Sequence, residues 1–207
     1  MVTTLYLIRH GETESADEKR YKGSIDVAIS LKGLMQIKKT STFIKALLNG
    51  SNMRLKAVYT SSLQRALKSA EIIATGNALK PIVVPELRER NFGAWEGMSF
   101  DEIRASYPDA FDSWAKDPMR FSPIGGESTL EVKERVMKVL YEILKAHNGD
   151  AVSIVSHGGV NRVILCCLMG IPLENIFSIE QDYASVNIIE FYDGVPVVKL
   201  LNGVLYG

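Results

Sequence analysis

Short apolar runs that stop abruptly at polar residues alternate along this chain with stretches of helical periodicity. That alternation constrains the fold more than any other feature. The runs are Leu5–Ile8, Ala57–Tyr59, Ile82–Val84 and Ala151–Val155. Each is apolar, Ser153 excepted, and too short for a helix, as expected of strands buried on both faces. From Leu31, the positions Leu34, Ile37, Ile44 and Leu48 recur at helical spacing, and Asn49-Gly50 closes that helix. Ser61 with Gln64 predicts a capping box opening a helix to about Thr75, and Ser128 with Glu131 predicts another. The helix opened by Ser128 buries Val132, Val136, Val139 and Ile143 and ends near Ala146, and a fourth, apolar helix runs from Val160 to Met169. Asp193-Gly194, between Val186–Tyr192 and Val195–Leu200, predicts a hairpin. The expected fold is α/β: a three-layer α/β/α sandwich with a mostly parallel sheet and a C-terminal antiparallel hairpin. One domain is expected over residues 1–207. Residues 86–127, with Gly, Pro and both tryptophans, form an irregular, lid-like insertion in it.

Charge and cysteine content narrow the partners. Lys plus Arg and Asp plus Glu both number 24, so there is no basic excess of the kind nucleic acids or membrane surfaces attract. Any anion site must therefore be a local cluster of cations. Cys166 and Cys167 are adjacent in an apolar stretch, which suits neither a disulfide nor a metal site, and they are read as small buried hydrophobes. The longest apolar run, Val163 to Ile171, has nine residues, against about 20 needed to span a bilayer. The start, Met1 to Ile8, lacks the basic region and long apolar core of a signal peptide. The expectation is a cytoplasmic protein with no metal, no cofactor, no nucleic-acid partner and no membrane.

Chemistry gathers at strand exits. Ligands of such sheets bind beyond the carboxyl ends of the strands. Arg9-His10, Ser61 to Arg65, and Ser156-His157-Gly158-Gly159 each follow an apolar strand at once, so they should meet at one edge. The third histidine, His147, sits at a helix end and is read as a dipole partner. Two arginines, two histidines and helix N-termini make a site for a dianionic phosphate, since guanidinium offers a planar fork and the helix offers free N–H groups. A neutral imidazole is a competent nucleophile, and neighbouring cations favour the neutral form. The pattern points to phosphoryl transfer onto a histidine, with the other groups stabilising charge. It leaves open which histidine accepts the group and which of Glu86, Glu89 and Glu96 moves the proton, although His157 lies closest to a helix N-terminus, a better place for an anion binder.

The motifs themselves resemble one family. Leu7-Ile8-Arg9-His10-Gly11-Glu12-Thr13 is similar to the opening signature of the histidine phosphatase superfamily, in its phosphoglycerate-mutase-like branch. The likeness continues in the family's order through Arg20-Tyr21-Lys22-Gly23 and Asp26, Ser61 to Ala66, Leu87 to Gly97, Gly125 to Ser128, and Val155 to Gly159 with Arg162. The resemblance implies that His10 becomes phosphohistidine, that Arg9, Arg65 and His157 bind phosphoryl oxygens, and that Glu89 serves as acid and then base. Lys22, Gly23, Arg90 and Gly158 are the further substrate-binding candidates. Many members carry Asn six residues after the nucleophile, where it contacts phosphate, and Ala16 stands there in this chain. The missing contact would fall to Lys22 or to the backbone at Gly23.

Departures from the mutases favour hydrolysis. The mutases are longer, with paired arginines in an inserted segment, whereas Met98 to Gly125 holds only the separated Arg104 and Arg120. They also have Asn where this chain has Gly159. Within the phosphatases, Arg20 to Asp26 followed by Ser30 looks most like the α-ribazole phosphatase group. A cofactor-dependent mutase, a broad-specificity or sugar-phosphate phosphatase, and a non-catalytic phospho-ligand binder are the alternatives. The partner implied is a small phosphorylated metabolite, and a homodimer is allowed. Phe92, Trp95, Phe100, Tyr107, Phe111, Trp114 and Phe121 are read chiefly as packing for the 86–127 segment, with stacking on a substrate as the second reading.

Overall fold

The computed structural model describes residues 1–14, 16, 20–51 and 53–205. In these the strands are β1 (Val2–Arg9), β2 (Leu55–Thr60), β3 (Pro81–Val83), β4 (Ala151–Ser156), β5 (Val186–Tyr192) and β6 (Val195–Gly203). The sheet order is β3-β2-β4-β1-β5-β6. The first four strands run parallel, while β5 is antiparallel to β1 and β6 to β5. The mostly parallel sheet with its terminal hairpin is therefore present.

The helices are α1 (Leu31–Gly50), α2 (Gln64–Thr75), α3 (Phe100–Ser106), α4 (Pro108–Lys116), α5 (Thr129–Ala146) and α6 (Gly158–Met169). Alternation along the strands divides the core in two. Leu5, Leu7, Val152 and Ile154 face Val136, Leu140 and Ile143 of α5 and Val160 and Ile164 of α6. Tyr6, Ile8, Val58 and Val155 face Ile37 and Ile44 of α1 and Ala70 and Ile73 of α2. One sheet between two helical layers is the α/β/α sandwich.

Helix starts show where local signals hold and where a distant residue overrides them. Ser128 and Glu131 form the expected capping box, and Ser99 with Glu102 forms another at α3. Ser61 with Gln64 does not: α2 begins at Gln64 behind Leu63, with no side-chain cap of its own. The Gln64 N–H instead donates to Asp26 Oδ1 at 2.7 Å, which releases Ser61 for another partner. Residues 86–127 hold a short 3₁₀ turn, Gly93–Trp95, and the two helices α3 and α4. Ser156 Oγ donates to the Leu87 carbonyl at 2.8 Å and Asn91 N–H to Glu127 Oε2 at 2.9 Å, so both ends of the segment are fastened. Among the described residues, no helix is long and apolar enough to cross a membrane.

Candidate active site

The parallel register sets Arg9 beside Ser156 and Thr60 beside Val155, so β1, β2 and β4 end level with one another. The next residues, His10, Ser61 and His157, share that edge. The His10 and His157 rings stand 5.1 Å apart, centroid to centroid, edge to face. His10 is 5% exposed and His157 fully buried.

The hydrogen bonds define the protons. His10 Nδ1 lies 2.8 Å from the Gly11 carbonyl, which can only accept, so Nδ1 carries the proton and Nε2 keeps its lone pair. Ser61 Oγ accepts from the Leu63 N–H at 3.2 Å and lies 2.7 Å from His157 Nε2. The hydroxyl proton is then free to be donated to Nε2, which leaves the His157 proton on Nδ1. That Nδ1 is buried with no hydrogen-bond partner among the described residues, a donor awaiting an acceptor.

Cations surround the pair. Burial, then Arg9, Arg65 and Lys22, hold the His10 pKa well below the ordinary imidazole value. Burial, then His10, Arg65 and Arg9, do the same to His157. Both rings are thus neutral at physiological pH. Arg9 donates through Nη1 to the Gln181 carbonyl at 2.6 Å, and its Nε is buried without a partner among the described residues. Arg65 donates to the Gly23 and Ile25 carbonyls, both at 2.7 Å. Burial lowers the pKa of both guanidinium groups, with Tyr183 and Glu89 respectively acting against it most strongly.

Glu89 sits at the start of α6. Its Oε2 accepts from the Gly159 N–H at 3.0 Å, and its Oε1 accepts from Val160 N–H at 3.2 Å and Arg90 N–H at 3.0 Å. Arg135 holds its main chain, donating to the Glu89 and Glu86 carbonyls. A Cβ at position 159 would come within 2.6 Å of Glu89 Oε1, so glycine there permits the carboxylate its seat. Glu86 and Glu96 stand otherwise: neither lines both cavities, and Glu96 Oε1 is taken by the Ser24 and Phe92 N–H groups.

Two cavities meet at Glu89. One, of about 400 Å³, is a cleft lined by Arg9, His10, Arg65, Lys22, Gly23 and Tyr183, with Ala16 on its wall. The other, of about 240 Å³, is mainly apolar, walled by Trp95, Phe111, Trp114, Met119, Ile176 and Phe177, with Arg162 at its edge. Tyr21, Glu89, Phe92 and Phe100 line both. The aromatic residues of 86–127 divide accordingly. Phe121 stacks on Trp95 at 5.2 Å, which is packing, while Phe92, Trp95, Phe100, Phe111 and Trp114 face a cavity as well.

The remaining candidates are positioned variously. Lys22 Nζ donates to Thr13 Oγ1 at 3.0 Å and to the Glu14 carbonyl at 2.9 Å, at the rim of the cleft. Gly23 has φ of +46°, and a Cβ there would meet Glu96 Oε1 at 2.3 Å. Arg90 lines the apolar cavity, but its guanidinium donates to the Glu127 and Phe121 carbonyls and Thr129 Oγ1, so its nitrogens are engaged within the fold. Gly158 opens α6, 3.3 Å from Arg9 Nε if it carried a Cβ. His147 caps α5 and its Nε2 bonds the Tyr59 hydroxyl at 2.9 Å, outside both cavities.

Sequence reasoning missed Tyr183, whose ring covers the Arg9 guanidinium at 3.8 Å. It precedes β5, which is antiparallel to β1, so the start of that strand arrives at the edge where the parallel strands finish. The signal was the polar break Gln181-Asp182 just before an apolar run, legible only once the strand's direction was known.

Comparison with known proteins gives the family. Residues 5–203 match the model of the histidine phosphatase superfamily, branch 1. Phosphoserine phosphatase 1 of Hydrogenobacter thermophilus is 32% identical over 198 residues, covering 96% of this chain and 91% of that one. The adenosylcobalamin/alpha-ribazole phosphatase of Escherichia coli is 26% identical over 198 residues, covering 96% and 95%. The solved structure of Bacillus stearothermophilus YhfR superposes with a TM-score of 0.86 at 35% identity, over 98% of each chain. The chain belongs to branch 1 of the histidine phosphatase superfamily and is a phosphoric monoester hydrolase.

Proposed function

We propose that this protein hydrolyses small phosphate monoesters through a phosphohistidine at His10, without a metal, and that its substrate carries an apolar, aromatic-sized group beyond the ester oxygen. The observation that carries this reading is the position of Glu89 at the junction of the cation-lined cleft and the apolar cavity. A phosphoryl group beside His10 puts its ester oxygen at that junction and the rest of the alcohol among Trp95, Phe111 and Trp114.

In the first step the His10 Nε2 lone pair forms a bond to phosphorus while the bond from phosphorus to the ester oxygen breaks. A proton from Glu89 goes to that oxygen, and the alcohol leaves. Arg9, Arg65 and the His157 Nδ1–H stabilise the charge on the phosphoryl oxygens, as a metal does elsewhere. In the second step water attacks phosphorus and gives its proton to Glu89. The nitrogen–phosphorus bond breaks with its electron pair returning to His10, and inorganic phosphate is released.

The substrate we favour is α-ribazole 5′-phosphate, whose ribose would span the junction and whose fused aromatic base suits the apolar cavity. The 86–127 segment then acts as the wall, and in our reading the lid, of the leaving-group site. A phosphoserine phosphatase is the second reading, favoured by the more similar Hydrogenobacter relative and by Arg162 at the cavity edge, a cation suited to a carboxylate. Cytoplasmic localisation belongs to the same proposal, from the unpaired cysteines.

The test is a product assay with EDTA present on α-ribazole 5′-phosphate, phosphoserine, 3-phosphoglycerate and several sugar phosphates, following both phosphate and 2-phosphoglycerate. Much faster release from α-ribazole phosphate supports the favoured substrate, and faster release from phosphoserine replaces it. Isomerisation of 3-phosphoglycerate without net phosphate release overturns the hydrolase reading.

A further inference from the structure

Tyr183 stands against the phosphate cleft yet belongs to none of the sequence motifs. The Arg9 guanidinium carbon lies over its ring, 3.8 Å from the centroid, and the His10 ring is 5.7 Å away, tilted by 50°. The main chain around it is tied to the Arg9-His10 pair. Arg9 N–H donates to the Ser185 carbonyl at 3.1 Å, and Ala184 N–H donates to the His10 carbonyl at 3.0 Å. Ala184 is 1% exposed and adopts φ of +56°, a left-handed conformation that turns the chain so that Tyr183 faces the cleft. From the opposite side, Gln181 accepts from Arg9 Nη1 through its carbonyl, and its side-chain amide bonds the buried Asn187.

Tyr183 lines the cleft together with Arg9 and Arg65. Its hydroxyl bonds none of the described residues. A phenol that shares a cleft with two guanidinium groups suited to a dianion has one unfilled role, donation to an oxygen of that dianion. On the cleft wall Ala16 offers only a methyl group.

We infer that Tyr183 is a substrate-contacting residue of the phosphate site: its hydroxyl donates to a phosphoryl oxygen and its ring fixes the plane in which Arg9 presents its fork. The inference rests on the phosphatase reading above for the identity of the cleft. The ring supplies a flat face that an aliphatic side chain does not, and the stacked guanidinium keeps its edge toward the phosphate.

The test compares Tyr183→Phe with Tyr183→Leu, measuring kcat and KM on an aryl phosphate and the competitive inhibition constant of inorganic phosphate. Phe keeps the stack and loses the hydroxyl. It should raise the phosphate inhibition constant about tenfold, the cost of a hydrogen bond to a charged group, and lower kcat/KM by a similar factor. Leu loses both, and its kcat should fall at least about tenfold further as Arg9 loses its orientation. Thermal midpoints of both variants close to the parent would separate these effects from misfolding. A Phe variant with the parent's inhibition constant overturns the proposal, as does a Leu variant that matches the Phe one. Trapping of the wild-type phosphoenzyme is run in parallel. Its absence would defeat the phosphohistidine mechanism, while phosphate inhibition would still report on Tyr183.

Discussion

The Ser61 hydroxyl and His157 Nε2 lie 2.7 Å apart, and this bond leaves the His157 proton on Nδ1 of a ring that stands 5.1 Å from His10. Without it, the buried imidazole can adopt the other tautomer and present a lone pair to an anion. Ser61→Ala should reduce kcat/KM about tenfold, the worth of a hydrogen bond to a charged group. Nitrogen-15 spectra of the histidine side chains should show His157 as the Nδ1–H tautomer in the parent and a mixture in the variant. A parent spectrum with the proton on Nε2 contradicts this orientation.

Glu89→Gln separates its role from simple anchoring. An alkyl alkoxide needs a proton to leave, whereas a nitrophenolate departs without one. The variant should lose roughly 10²–10⁴ on an alkyl phosphate and much less in the phosphorylation step with a nitrophenyl ester, read as the burst of phenolate. Equal loss in both bursts removes Glu89 as the acid.

Gly159→Ala addresses the seat of that carboxylate. The added methyl would stand 2.6 Å from Glu89 Oε1, so the flexible carboxylate must shift while the buried backbone stays. Stability should change by less than about 1 kcal/mol, the scale of a helical Gly-to-Ala exchange, while kcat on alkyl phosphates falls. A variant with unchanged kcat would mean that the three N–H contacts of Glu89 do not set its working position.

Stability should fall on the acid side through the histidines. Both His10 and His157 have pKa values well below the ordinary 6.5, chiefly from burial. Below that pH the unfolded chain therefore binds protons that the native one refuses. Their contribution is fully present above pH 6.5 and is lost as pH falls from there toward the native values. Each group adds a slope of about 1.4 kcal/mol per pH unit. Urea unfolding from pH 6.5 to 5 should show a shallower slope in His10→Gln by close to one proton, and identical slopes would show that His10 titrates normally.

Much of this was legible in the sequence because the deciding interactions are local. Apolar runs ended by Arg9-His10 and Ser156-His157 mark both strands and the edge where they end, and the hairpin follows from Asp193-Gly194. What escaped depended on residues distant in the chain. Ser61 has the spacing of a cap, but Asp26, 38 residues before Gln64, caps α2 instead. Tyr183 is brought to the cleft by an antiparallel strand, and strand direction is not a local property. The aromatic residues of 86–127 satisfy packing and cavity-lining together, a distinction composition alone does not draw.

The most direct test of the central claim is rapid quenching of the wild-type enzyme during turnover, followed by peptide mass mapping under alkaline conditions that preserve phosphohistidine. The account predicts one acid-labile phosphoryl group, on the peptide carrying His10, absent from His10→Ala and accumulating when water attack is slowed. A phosphoryl group on the peptide carrying His157, or turnover that persists in His10→Ala, would contradict it.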